Sequence, residues 1–249
     1  MRLALRNAAG ERLDHVLTPG APGSRALVVI GHGVTSHHDR PLLVALCEGL
    51  RAAGVASLRF SFAGNGASEG QFAAATITKE VLDLGRVLDA LAGHRIAYVG
   101  HSMGAAVGVL RAAVDPRIEA LVSLAGMVHV HAFMRRHFRG LVPGRDAMFG
   151  RPACVLSEAL LADAARIGSV LDAARRVTAP WLLVHGDADE LVPLQDSHDA
   201  VAARAGAELF VLAGADHRFT GQIERVVEAV VGWLPRRALR GSAPPGGIT

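Results

Sequence analysis

Lysine is almost missing from this 249-residue chain: of its 26 basic residues, only Lys79 is not an arginine. Aromatic residues are scarce too, at 4%, with a single tyrosine and two tryptophans. Scattered arginines with so few rings between them do not make a nucleic-acid surface. The formal charge, 26 basic against 23 acidic residues, is only +3. Cysteine occurs twice, as Cys47 and Cys154, far apart and without metal spacing such as C-x-x-C. Cys47 lies in a helical apolar pattern and reads as a buried, inert thiol. No apolar run approaches the ~18–20 residues of a membrane span. The stretch Met1–Asn7 turns polar too soon for a secretory apolar region. These absences predict a cytoplasmic protein with no nucleic-acid partner and no membrane span.

What is present is apolar residue in quantity, 51% of the chain, enough for one large core. Ala26–Ile30 is a continuous apolar run rich in β-branched residues, as in a strand covered on both faces. Val55–Phe60, Ile96–Val99, Ile118–Leu124, Trp181–His185 and Glu208–Leu212 read as further strands. Leu3–Arg6 and Arg12–Leu17 read as two short ones around a turn. Between them lie helical patterns: Leu42, Leu43, Leu46, Cys47 and Leu50, closed by Gly54; then Ile77, Val81, Leu84, Leu88 and Leu91. The last helix, Ile223–Leu234, should end at Pro235. Strands alternating with helices imply parallel βαβ units, hence an α/β fold with helices on both faces of the sheet. One domain over 1–235 is expected, with a disordered tail at 236–249. The rhythm breaks at Gly126 to about Met148, a stretch too long for an ordinary connection.

The stretch that carries chemistry is Gly100-His101-Ser102-Met103-Gly104, with an apolar strand before it and a helix of small residues after it. A serine at the apex of a tight strand-to-helix turn sits in strained backbone, and crossing chain leaves room only for glycine on either side. The Met103 amide, at the helix start, then faces whatever Ser102 attacks. A serine hydroxyl needs a base to take its proton, and histidine suits that work. His217 follows the last strand, and loops at the carboxyl ends of parallel strands share one edge of the sheet. A carboxylate must hold the imidazole, and Asp187, Asp189, Glu190 and Asp216 are candidates that spacing alone does not separate. His129 and His131 have no carboxylate beside them in sequence and make no metal motif. No cofactor is implied.

These three segments together resemble the α/β-hydrolase superfamily, whose chain order is nucleophile, acid, histidine. The resemblance spans about 1–235. It implies the α/β-hydrolase fold, a mostly parallel sheet of about eight strands with a small lid insertion at about 126–148, reaching as far as 170. In the related pattern H-G-x-x-D-x-x-V-P, matched by His185–Pro193, the acid is the fifth residue, Asp189, which leaves Asp187 to organise its loop. The resemblance also implies a second oxyanion donor in the amide of Val34, following His32-Gly33, with His32 organising that turn and His101 and His185 structural. More narrowly, His32–Ser36 and Leu58–Gly70 are similar to bacterial esterases of the cinnamoyl and feruloyl esterase-like group. Those commonly show R-F-D-F-R-G-x-G-x-S-x-G, where this chain has Ser61 and Ala63 in place of the aspartate and the second arginine. In the lid that the resemblance implies, Met127, Val128, Phe133, Met134 and Phe138 would line an acyl or aryl pocket, Phe133 and Phe138 foremost. Its arginines read as a solvated face or as an attraction for an anionic substrate.

The resulting expectation is a serine carboxylic-ester hydrolase that acts through an acyl-enzyme on a small acyl or aryl ester, as a monomer or homodimer. The alternative with the same machinery is an acyl thioesterase. From another class, a hydrolase fold turned catalytically silent binding module is opposed by the full set of Ser102, Asp189, His217, Val34 and Met103.

Overall fold

A strand that is apolar on both sides needs cover on both sides, and the helices supply it. The computed structural model describes residues 4–237. Among these, seven strands form one sheet: β1 (His15–Thr18), β2 (Ala26–Gly31), β3 (Ala56–Phe60), β4 (Arg95–His101), β5 (Ile118–Leu124), β6 (Trp181–Gly186) and β7 (Glu208–Leu212). Their order across the sheet is β1-β3-β2-β4-β5-β6-β7, with β1 antiparallel to β3 and every other pair parallel. The N-terminal pair of strands shrinks to a single Arg6–Arg12 bridge plus β1. Asn7 explains the loss: its Oδ1 accepts the amides of Ala9 and Glu11 at 3.0 Å each, so the backbone folds into a turn and not a ladder.

Alternate residues of each strand face opposite ways. Val28, Ile30, Ala97, Val99 and Val122 pack beneath α1 (Pro41–Ala52) and α8 (Ile223–Arg237). Leu27, Val29, Ile96, Tyr98 and Leu121 pack beneath α2 (Ile77–Ala90) and α3 (Met103–Ala112). Burial of Leu43, Leu46 and Leu50 on α1 contributes about 1.5–3 kcal/mol per side chain. Gly49 lets the two helices on that face close up, since a Cβ there would meet Val227 Cγ1 at 2.3 Å. α8 runs through Pro235 to Arg237. A proline this near a helix end removes one backbone bond, too little to stop the helix where the sequence suggested. Of the tail expected to be disordered, 236–249, the first two residues form the end of α8, and the rest lies outside the described residues.

The connection from β5 to β6 is the long one. It holds α4 (Val130–Phe138), a 3₁₀ turn (Met148–Gly150), α5 (Glu158–Ile167) and α6 (Leu171–Ala174), followed by α7 (Leu194–Ala203) after β6. Because β2 and β4 are neighbours whose chains continue to opposite flanks of the sheet, the loops at their carboxyl ends diverge and open a crevice. No helix among the described residues is long and apolar enough to cross a membrane.

Candidate active site

Ser102 stands between β4 and α3 with φ 55° and ψ −119°, a conformation that side chains rarely adopt. The flanking glycines are required by contact. A Cβ on Gly100 would lie 2.3 Å from the Gly104 carbonyl oxygen, and one on Gly104 would lie 2.5 Å from that of His32. A third glycine belongs to the same turn, because a Cβ on Gly33 would sit 2.9 Å from Ser102 Cβ. The backbone is held from outside as well: Ser102 donates its amide to Leu124 at 2.9 Å, and its carbonyl accepts from Met127 at 3.2 Å.

Three donors bond Asp189, and a fourth, His185 Nε2–H, lies beside the carboxylate while donating to the Val192 carbonyl at 3.0 Å. Asp189 Oδ1 accepts the amides of Leu191 and Val192, each at 2.8 Å. Its Oδ2 accepts from His217 Nδ1 at 2.8 Å and lies 3.2 Å from His185 Nε2. The carboxylate is fully buried. Burial alone would raise its pKa, but His185 and the hydrogen bond from His217 outweigh it and hold the group well below the usual carboxylate range. With Nδ1 of His217 engaged, Nε2 is the nitrogen left to take a proton. His101 steadies the same loop: its Nε2 donates to the His217 carbonyl at 2.9 Å, and the two rings lie 4.9 Å apart. Burial, and then the neighbouring His217, push the His101 pKa down to about 3, so it stays neutral. The other carboxylates do different work. Asp187 accepts the Gly214 amide at 2.6 Å, and Asp216 accepts those of Arg218 and Thr220.

Ser102 and His217 line one cavity of about 500 Å³, together with Val34, Phe133 and Leu191. Among the described residues the Val34 amide donates to no backbone carbonyl. The Met103 amide opens α3, where first-turn donors have no partner within the helix. His32 fixes the loop between them: Nδ1 donates to Gly33 O at 2.8 Å while Nε2 accepts the Phe62 amide at 3.1 Å. Burial lowers its pKa to about 4, and both nitrogens are occupied, so it holds structure and moves no proton. Ser61, at the position where an aspartate is usual, is buried with its Oγ accepting the His38 amide at 3.1 Å. The Ala63 amide donates to Asp83 at 2.9 Å.

The segment after β5 divides differently from expectation. Phe133 lines the cavity, but Phe138 does not. It is buried behind the wall, edge-on to Phe149 with ring centres 4.9 Å apart, and it is Phe149 that reaches the cavity. Met127, Val128 and Met134 are buried in the core. Arg135, Arg136 and Arg139 stand in solvent, and Arg145 pairs with Asp146 at 2.8 Å. The arginine this segment does bring to the cavity is Arg151, past Met148 but within the extension of the insertion toward 170. Arg40, Arg218 and Glu190, also cavity residues, come from other loops, and no spacing in the sequence links them. His129 has a carboxylate after all, Asp199 at 2.7 Å, from the distant α7.

Residues 22–151, just over half of the chain, match the family described as serine aminopeptidase, S33. No curated protein matches the chain by sequence. Among solved structures, Est1E from Butyrivibrio proteoclasticus, with ferulic acid bound, superposes with a TM-score of 0.84 at 28% identity, covering 95% of this chain and 99% of that one. Mouse alpha/beta hydrolase domain-containing protein 10 does so at 0.77 and 20%, covering 94% and 98%. A monoacylglycerol lipase from Paleococcus ferrophilus does so at 0.70 and 21%, covering 89% and 98%.

Proposed function

The chain belongs to the serine aminopeptidase S33 family of α/β hydrolases, and from that premise we propose that it is a carboxylic-ester hydrolase working through an acyl-enzyme on Ser102. One observation carries the reading: Asp189, held by the Leu191 and Val192 amides, bonds the ring of His217, which lines a cavity together with Ser102. The likeness to Est1E, an esterase by its name and solved with ferulic acid, supports an ester as substrate.

In this mechanism Ser102 Oγ adds to the ester carbonyl carbon as His217 Nε2 takes its proton. Asp189 keeps the imidazole in the tautomer that makes this possible and stabilises it once charged. The amides of Val34 and Met103 receive the oxygen that becomes negative. Collapse expels the alkoxide, which leaves as the alcohol with the proton from His217, and the acyl group stays on Ser102. Water then repeats the sequence with His217 as base and releases the acid. The connection between β5 and β6 acts as a cap that sets the accepted ester, through Phe133 and Phe149 in the wall. An aminopeptidase must instead hold a substrate ammonium, for which the cavity offers Glu190 against Arg40, Arg151 and Arg218.

A fluorophosphonate probe tests the reading. It should label wild type at Ser102, identified by peptide mass, and leave Ser102→Ala unlabelled. p-Nitrophenyl acetate should be cleaved and leucine p-nitroanilide should not. No labelling of a folded protein would leave a binding module, and cleavage of the anilide alone would make the protein a peptidase.

A further inference from the structure

Three arginines line the cavity from three loops: Arg40 ahead of α1, Arg151 after the 3₁₀ turn, and Arg218 next to His217. None of them forms an ion pair within 4.0 Å among the described residues. The nearby carboxylates are committed elsewhere. Asp39 bonds Arg59 at 3.0 Å, Asp216 takes the amides of its own loop and senses Arg218 without pairing with it, and Asp189 serves His217. Glu190 is the one carboxylate lining the cavity, and it accepts the His217 amide at 3.3 Å. Arg40 senses the other two: burial first, then Arg151 and Arg218, hold its pKa below the usual value. His37 lies in the same field, its pKa lowered by burial and then by Arg40, with Arg151 adding to it. Arg151 is fixed in place by its Nη1, which donates to the Thr35 carbonyl of the loop carrying Val34. Among the described residues the rest of its planar fork has no hydrogen-bond partner.

Like charges gathered in a partly closed cavity repel one another and lose hydration, so the arrangement is relieved by an anion. Guanidinium forks match the two oxygens of a carboxylate. We propose that the substrate is an ester carrying a second, uncleaved carboxylate, which Arg40, Arg151 and Arg218 hold while the ester carbonyl lies at Ser102. This deepens the esterase reading and rests on it. It names the half-ester of a dicarboxylic acid, or the acyl ester of a hydroxy acid, as the substrate class.

The test compares each acid with its neutral twin: monoethyl against diethyl succinate, glutarate and adipate, and 3-acetoxypropionate against its methyl ester. The acid form should be preferred in kcat/KM by about 10–100-fold, the range of charged hydrogen bonds. The first series reads a carboxylate on the acyl side, the second one on the alcohol side. The preference should shrink in ~0.5 M salt. Arg40→Gln, Arg151→Gln and Arg218→Gln should each lower the acid-to-neutral ratio, through KM more than kcat, and the triple variant should bring it close to one. Arg→Lys at the same positions should retain part of it. The ratio is independent of how much enzyme folds, and Arg136→Gln, on the solvent face of α4, should not change it. Cleavage of the neutral esters without preference for the acids would overturn this inference and leave the esterase standing. Cleavage of neither would overturn both. A preference for acetyl-coenzyme A over the same acyl group on a short neutral thiol would reassign the arginines to phosphate and overturn the carboxylate.

Discussion

Replacing Asp189 by asparagine keeps the shape of the side chain and removes one oxygen acceptor, so its effect follows from the bonds around it. If the amide oxygen stays on the Leu191 and Val192 amides, the new NH2 faces His217 Nδ1 and the Nε2–H of His185. His217 must then carry its proton on Nε2, the atom meant to receive the one from Ser102. If the amide flips, its NH2 opposes two backbone amides instead. The flip leaves two buried backbone donors without an acceptor, at about 1–3 kcal/mol each, or about 2–6 kcal/mol in all. The unflipped amide pairs with His217 Nδ1 while His185 keeps the Val192 carbonyl at 3.0 Å, so the unflipped form with the wrong tautomer is the one adopted. The flip would lower Tm by at least ~4 °C in a chain of this length, at about 2–4 °C per kcal/mol, so the smaller loss of the unflipped form is expected. The wrong tautomer should cost about 10⁴-fold in kcat, the loss seen when a serine protease suffers the same change. Asp187→Asn keeps a carbonyl for the Gly214 amide and should change both little. The assay is p-nitrophenyl acetate turnover beside thermal unfolding. A kcat for Asp189→Asn within a hundredfold of wild type, or a comparable loss in Asp187→Asn, would refute the reasoning.

Three further outcomes follow from the geometry. Ser102→Gly should abolish turnover yet raise Tm, because glycine relieves a backbone at φ 55° and ψ −119° that is strained by about 1–3 kcal/mol; a fall in Tm would show that the hydroxyl holds the turn. Glu80 is buried with neither carboxyl oxygen hydrogen-bonded, and burial, then Asp83, raises its pKa well above normal. The unfolded chain ionises there above about pH 4.3 while the folded chain does not, so stability falls as pH rises past that point. Glu80→Gln should thus raise Tm at about pH 8 and lose that advantage near pH 4, which thermal scans at both values would check; an equal shift at the two would contradict it. Phe133→Ala should reorder short, long and aryl esters, whereas Phe138→Ala should cost about 3–5 kcal/mol of stability with less reordering, measured by urea unfolding and an ester panel.

The strands were the most legible part of the chain because β2 and β4 are covered on both faces and so carry the apolar runs Ala26–Ile30 and Ile96–Val99. Ser102 and its glycines could be read for a related reason, since the close approach at Gly100 and Gly104 tolerates nothing larger. α4 was hidden because arginines and histidines interrupt it, although its buried Val130, Phe133, Met134 and Phe138 keep helical spacing. The arginine cluster was out of reach altogether. Arg40, Arg151 and Arg218 meet only through the folding of three distant loops, which leaves no period or motif behind. Phe138 misled for the opposite reason: an aromatic beside the site is as well suited to backing a wall as to forming it.

The position of β7 has one more consequence. It closes the sheet on one flank, is hydrogen-bonded along one side only, to β6, and most of its residues are incompletely buried. The loop with His217 hangs from it, while Ser102 and Val34 are anchored at the middle of the sheet. Edges of this kind open at lower free energy than the centre. In rising urea the acid-base arm should therefore detach before the nucleophile's turn does. Catalysis would fade while most amide protons were still protected from exchange, and return as soon as one short strand had docked again.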